Sequence, residues 1–218
     1  MSATHKHFGI IPDGARRWST REGQGLAEGY CYCVSRILEL TDMAYHAGYQ
    51  EVSIYCLSLA NLERPAHEVR AVFDTMRTSL HLFEALIGGD TFKRIRVVGE
   101  TDRLPEDVRE RLERLEALSG DPAVPTINLL IAYDAATELQ RAHQRAHGEQ
   151  LGLAHFDVTT PIQVIFRSAK GVLLSGFLPF QSQYAHLVVS DKLFNDLTEG
   201  DMREVFEDAE QLDHWFGR

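Results

Sequence analysis

Residues 7–18 read HFGIIPDGARRW, an apolar run that stops at a proline, turns at Asp13 and Gly14, and continues into two arginines and a tryptophan. The run FGII (8–11) suits a buried strand, and the PDG that follows is turn chemistry that ends it. Runs of the same kind recur at EVSIYCLS (51–58), RIRVVGE (94–100), TINLLIA (126–132), IQVIFR (162–167) and AHLVVSD (185–191). Between them apolar residues fall at helical spacing. Val69, Val72, Phe73, Met76, Leu80, Phe83 and Ile87 share one face, as do Met202, Val205, Phe206, Ala209 and Leu212. Further helices are predicted over about 27–47, closed by Gly48, and over 105–118, opened by Pro105. This alternation predicts an α/β fold, a single mostly parallel sheet of about six strands surrounded by helices. No repeat, low-complexity tract or linker divides residues 1–218, so one domain is expected. The most apolar stretch, GVLLSGFLPF (171–180), is broken by Gly176 and Pro179 and reads as a buried loop and short helix.

The formal net charge of −10 argues against nucleic acid and anionic membranes as partners, since both reward a basic surface. An anionic ligand must therefore meet a local cluster of arginines. Cys31, Cys33 and Cys56 match neither a zinc spacing nor a disulfide framework, and they are expected as reduced thiols of a cytoplasmic protein. The stretch MSATHKHFGII lacks the apolar core of a signal peptide, and no run approaches the ~18 apolar residues of a membrane span, so no stable membrane insertion is expected.

In parallel α/β sheets, ligands gather at the carboxyl ends of the strands, and three polar clusters fall at such ends. After the first strand, Gly14 lets the backbone turn close to a ligand, while Arg16, Arg17, Arg21 and the free amides of the following segment suit a diphosphate. Asp13 cannot bind phosphate directly. Beside such a cradle it implies Mg²⁺ or proton transfer, although Asp-Gly with surface arginines is also an ordinary turn. After the second strand, SLANLERP offers Ser58, Asn61 and Arg64, or simply a polar loop with an N-cap. After the fifth, Arg167 and Ser175 suit a second anionic group, or a purely structural role. His143 and His147, four apart, lack a third ligand in view and read as exposed histidines rather than a metal site.

Taken together, these clusters resemble the cis-prenyltransferases, the family of undecaprenyl diphosphate synthase. The resemblance runs from IIPDGARRW through YCLSLANLERPAHEV, IRVVGETDRLPEDVRERLERLEALS and INLLIAYD to HWFGR. It implies a parallel sheet ringed by helices, a homodimer, Mg²⁺ as cofactor and an apolar tunnel for an isoprenoid chain. It also implies a reaction in which an allylic diphosphate ionises at one subsite and a second isoprenoid diphosphate attacks the cation from the other. By the resemblance Asp13 manages the Mg²⁺-diphosphate, Gly14 and Arg17 bind phosphate, and Asn61 and Arg64 match the second block. The expected catalytic set is then Asp13, Ser58 and Asn61, with Asp13 as metal ligand. The expected diphosphate-binding set is Gly14, Arg16, Arg17, Arg64, Arg167 and Ser175.

The chain departs from the family pattern at particular positions. An arginine and a histidine on the next helix are here Leu26 and Tyr30. In the fifth-strand block Arg167, Ser175 and Phe177 match, whereas Ala169, Lys170, Gly171 and Leu173 stand for two glycines, an acid and a second arginine. His186 stands for a glutamate that helps bind Mg²⁺. Exchanging an arginine for Leu173 removes a charge-assisted contact worth roughly 1.5–3 kcal/mol, about ten- to a hundredfold in affinity for isopentenyl diphosphate. The pattern is similar to that of the irregular bacterial branch, the cyclolavandulyl and isosesquilavandulyl diphosphate synthases. The expected activity is head-to-middle condensation of dimethylallyl diphosphate with dimethylallyl or geranyl diphosphate. Regular chain elongation with isopentenyl diphosphate, and a non-catalytic subunit of a heteromeric enzyme, stand as the alternatives. Donor length, cyclisation of the product and the final base, either the departed diphosphate or a polar group near Ser58 and Asn61, stay open.

Overall fold

The computed structural model of the chain describes residues 5–88, 92, 94–120 and 125–212. The block HWFGR and the side chain of Leu212 lie outside the described residues. Six strands, β1 (His7–Ile11), β2 (Glu51–Ser58), β3 (Arg94–Val98), β4 (Thr126–Tyr133), β5 (Val164–Arg167) and β6 (His186–Val189), form one sheet in the order β3-β4-β2-β1-β5-β6. Every pairing is parallel. Six helices accompany them: α1 (Ala15–Glu22), α2 (Leu26–His46), α3 (Ala66–Gly88), α4 (Glu106–Ala117), α5 (Ala135–Ala146) and α6 (Glu199–Leu212). The α/β expectation therefore holds, with all strands parallel. From β1 the chain goes to β2 on one side, while β5 joins on the other, and a crevice at the carboxyl ends follows from that reversal.

Strands buried on both faces explain the near-continuous apolar runs of the sequence. On one face Phe8, Ile10, Val52, Ile54, Leu129 and Phe166 form a core with Leu40 of α2, Met76 of α3 and Met202 of α6. On the other, Ile11, Leu130, Tyr133 and Ile165 pack with Val158, Ile162, Phe177 and Leu178. The apolar stretch 171–180 is only half as expected. Phe177 and Leu178 are buried, but no helix forms, and Val172 and Leu173 are 72% and 69% exposed. The three cysteines are free thiols, and burial pushes Cys56 up to about 12, which keeps it protonated and unreactive.

At the amino ends of the strands lies a buried polar network. His7 Nε2 is 2.8 Å from Ser53 Oγ and its Nδ1 is 3.3 Å from the Thr160 carbonyl, while Asn128 donates to Glu51 at 2.7 Å. Burial holds the His7 pKa below its ordinary value, with Glu51 offsetting part of the shift. His7 is thus neutral when folded but takes a proton near pH 6.5 when unfolded. Below that pH the unfolded chain binds the extra proton, so this contribution to stability is lost as pH falls, at most about 1.4 kcal/mol per pH unit. Melting temperature is expected to drop between pH 7.5 and 5.5, and His7→Gln is expected to shrink that drop by roughly 3 °C. Equal slopes for the two proteins would contradict this.

Candidate active site

One cavity of about 1200 Å³ opens at the carboxyl ends of β1, β2 and β5 and runs inward between α2 and α3. All nine residues expected from the sequence line it: Asp13, Gly14, Arg16, Arg17, Ser58, Asn61, Arg64, Arg167 and Ser175. Its mouth is polar, and its depth is walled by Cys33 and Ile37 of α2 and by Val72, Met76, Leu80 and Phe83 of α3. Met76 and Leu80 thus line the cavity as well as belonging to the core, whereas Phe73 of the same stripe packs against the core and is not among the lining residues. Among the described residues no group of three or more His, Cys, Asp or Glu is placed to hold a metal ion.

Asp13 sits where β1 ends, and its backbone is fixed from both sides. Its amide donates to Ser168 Oγ at 2.9 Å, Ser168 Oγ donates to its carbonyl at 2.8 Å, and the Phe194 amide donates to the same carbonyl at 3.0 Å. Gly14 follows with φ 105°, a left-handed turn in which a Cβ would come within 2.8 Å of Leu193. It caps α1 without a side-chain hydrogen bond, leaving the first-turn amides free of a side-chain partner. The Asp13 carboxylate is shared between two guanidinium groups, accepting from Arg17 at 3.1 Å and from Arg167 at 3.0 Å.

Arg167, with only 11% of its side chain exposed, joins the carboxyl ends of β1 and β5 at the other side of the mouth. It also donates to Ser175 Oγ at 2.9 Å and to the Leu173 carbonyl. Gly171 packs against it so closely that a Cβ there would lie 1.9 Å from Nε. A side chain at this position would require the Arg167 guanidinium to move. Ala169 and Lys170, at the positions of the two family glycines, take φ 64° and 59°. Glycine would adopt that conformation freely, and L-residues pay about 1 kcal/mol each for it. Leu173 contributes its carbonyl, and its side chain points to solvent.

Several expectations need correction or refinement. Arg21 lines the cavity but is spent on Asp196, with paired bonds of 2.7 and 2.6 Å. Arg16 is held by Glu68 at 2.8 Å. Ser58 caps the short turn Leu59–Glu63 by accepting from the Asn61 amide at 3.2 Å, so the N-cap reading holds while Ser58 also lines the cavity. His186 pairs with Val164 in the sheet register, away from the carboxyl end, and is not among the cavity's lining residues. His143 and His147 are exposed, the latter as the left-handed cap of α5.

Among the lining residues that sequence reasoning did not single out are Tyr55 and Glu68. Tyr55 donates to the Ser175 carbonyl at 3.1 Å. Glu68 opens the stripe that continues through Val72, Met76 and Leu80, and an acid in line with an apolar face was the available signal. Tyr30, at the family's histidine position, is half-buried in the cavity wall. Burial raises its phenol pKa, partly offset by Arg64 and Arg16.

The sequence matches the family described as "Putative undecaprenyl diphosphate synthase" over residues 11–217. An isoprenyl transferase of Campylobacter jejuni is 27% identical over 98% of each chain. Isoprenyl transferase 2 of Corynebacterium efficiens is 29% identical over 97% of this chain and 93% of its own. Among solved structures, lavandulyl diphosphate synthase from Lavandula x intermedia, in complex with dimethylallyl diphosphate, aligns with a TM-score of 0.83 over 94% of this chain and 95% of that one. Its 22% sequence identity makes this a likeness of fold.

Proposed function

We propose that this chain, which belongs to the undecaprenyl diphosphate synthase family of prenyltransferases, joins dimethylallyl diphosphate head to middle with a second allylic diphosphate, dimethylallyl or geranyl. The product is a branched, lavandulyl-type diphosphate. The observation that carries this reading is the second anion-binding end, where Arg167 stands with Ser175 while Leu173 turns its apolar side chain outward. Isopentenyl diphosphate loses the second guanidinium it would otherwise meet there, worth about ten- to a hundredfold in affinity.

In this reading Arg17, Arg16, Arg64 and the amides after Gly14 hold the donor diphosphate. Mg²⁺ is commonly held by one or two carboxylates together with substrate phosphates, and Asp13 fits as that carboxylate. When bound, the ion neutralises charge on the departing diphosphate. The donor C1–O bond breaks, its electron pair leaving with the diphosphate, and the acceptor's C2–C3 double bond attacks the allylic cation. Arg167 and Ser175 hold the acceptor, Ser58 and Asn61 shape the mouth between the two, and the apolar walls of α2 and α3 exclude water from the cation. The reading extends to one catalytic domain over the chain, acting as a cytoplasmic homodimer on small allylic diphosphates, without nucleic acid or stable membrane insertion. No helix of the described residues is long and apolar enough to cross a membrane.

A second reading, regular elongation with isopentenyl diphosphate, is favoured by the intact Arg167–Ser175 pair. Diphosphate release decides between them. Release from dimethylallyl and geranyl diphosphate with Mg²⁺ and no isopentenyl diphosphate is the expected result. Release that begins only when isopentenyl diphosphate is added would overturn the head-to-middle reading.

A further inference from the structure

Buried polar atoms nearly always find a hydrogen-bond partner, so those that do not mark places built for something else. Four unpartnered atoms of the described residues belong to the lining of this cavity: Ser19 Oγ, Tyr30 OH, Glu68 Oε2 and Arg167 Nε. Arg167 Nε is covered by Gly171. The other three belong to a single stretch of wall. Ser19 lies against Gly29, the residue before Tyr30, so closely that a Cβ at Gly29 would come within 1.9 Å of its hydroxyl. Tyr30 in turn feels the charges of Arg64, Arg16 and Glu68.

Glu68 and Asp13 are the two acids of the lining, and they are held differently. Both Asp13 oxygens are engaged by guanidinium groups. Glu68 is 7% exposed, gives one oxygen to Arg16, and keeps the other buried and unpartnered. It stands in the first turn of α3, directly ahead of Val72, Met76 and Leu80, and so at the neck between the phosphate-binding mouth and the apolar depth. A prenyl chain with its diphosphate in the mouth and its tail in the depth has its reacting carbons at that neck.

We propose that Glu68 is the base that takes the final proton from the prenyl cation, with Tyr30 as its partner at the neck. This rests on the prenyl-transfer reading of the cavity, but not on the head-to-middle connectivity, since either connectivity ends in a tertiary cation. A C–H bond beside the cationic carbon breaks, its electron pair forms the new C=C bond, and the proton passes to Glu68 Oε2, giving the carboxylic acid. The acid returns its proton to solvent as product leaves. Arg16 holds the carboxylate in place through its other oxygen, and an aromatic ring such as that of Tyr30 suits a neighbouring cation.

Glu68→Gln keeps an oxygen for Arg16 and removes the base. In single turnovers with the wild-type substrate pair, it is expected to release diphosphate still, to form olefinic product about a hundredfold more slowly, and to divert product to the tertiary alcohol formed by water. Glu68→Asp is expected to recover part of the olefin. Wild-type olefin yield in Glu68→Gln would overturn the proposal, pointing to the departed diphosphate or Ser58 as base. Equal loss of diphosphate release and olefin would overturn it too, since Glu68 would then serve only to hold Arg16. If Glu68→Gln does not fold, Tyr30→Phe with an acceptor deuterated at its methyl groups replaces it. A larger isotope effect on product formation than in wild type supports the proposal, and an unchanged one overturns it. Linear products that need isopentenyl diphosphate would contradict the head-to-middle reading alone, because diphosphate release and olefin yield are read in the same way for them and the isotope effect is then read with isopentenyl diphosphate deuterated at C2, where that connectivity loses its proton.

Discussion

Asp13→Ala is expected to lower turnover about a thousandfold while tightening the hold on inorganic diphosphate measured without metal. The two effects have opposite signs because Asp13 plays opposite parts in the free and working site. In the free protein its carboxylate engages Arg17 at 3.1 Å and Arg167 at 3.0 Å, so both cations are already partly neutralised where an anion must bind. Removing it leaves Arg17 without that partner and frees the Arg167 nitrogen that Asp13 held, while Arg167 keeps its bonds to Ser175 and Leu173. In turnover, however, Asp13 is the acid of the lining at the end of β1, since Glu68, the other one, stands in the first turn of α3. Titration calorimetry with diphosphate and a steady-state assay on one preparation read both quantities. Turnover within tenfold of wild type would remove Asp13 from the chemistry. Weakened metal-free diphosphate binding would instead show that its contacts to the arginines organise the site.

Arg167→Ala is expected to weaken the acceptor about a hundredfold, the sum of two charge-assisted hydrogen bonds, and to slow turnover further. Arg167 ties the end of β1 to the loop after β5, beside the Ser168 hydroxyl. It reaches the Asp13 carboxylate, the Ser175 hydroxyl and the Leu173 carbonyl together, and Gly171 closes over it. Arg167→Lys is expected to recover no more than about tenfold, since one ammonium cannot span what a planar fork reaches. The signature is a rise in KM for the acceptor larger than for the donor, from initial rates with each substrate varied. Equal rises would mean that Arg167 supports the site as a whole rather than its acceptor end.

The sheet was legible because strands buried on both faces leave apolar runs in the sequence, and all six appear within a few residues of their expected ends. Short α1 was not, since ARRWSTRE is polar nearly throughout and owes its helix to Gly14 at one end and Gly23 at the other. The stretch GVLLSGFLPF misled because composition cannot distinguish Val172 and Leu173, which are exposed, from Phe177 and Leu178, which are buried. Within the site, residues fixed by a strand end were readable, since topology alone brings Asp13, Ser58 and Arg167 to one crevice. Residues whose role depends on helix packing were not. Glu68 and Tyr30 face each other's charges only because α2 lies against α3. Arg21 is withdrawn from the ligand by Asp196, 175 residues away in sequence.

The carbon skeleton of the product tests the central claim most directly. Purified protein incubated with Mg²⁺ and dimethylallyl diphosphate, alone or with geranyl diphosphate, gives prenyl alcohols after dephosphorylation, which mass spectrometry and carbon NMR identify. A branched C10 or C15 alcohol formed without isopentenyl diphosphate is the result required of a second site with Leu173 in place of a second arginine. Linear alcohols that appear only when isopentenyl diphosphate is supplied would contradict it and return the protein to ordinary chain elongation.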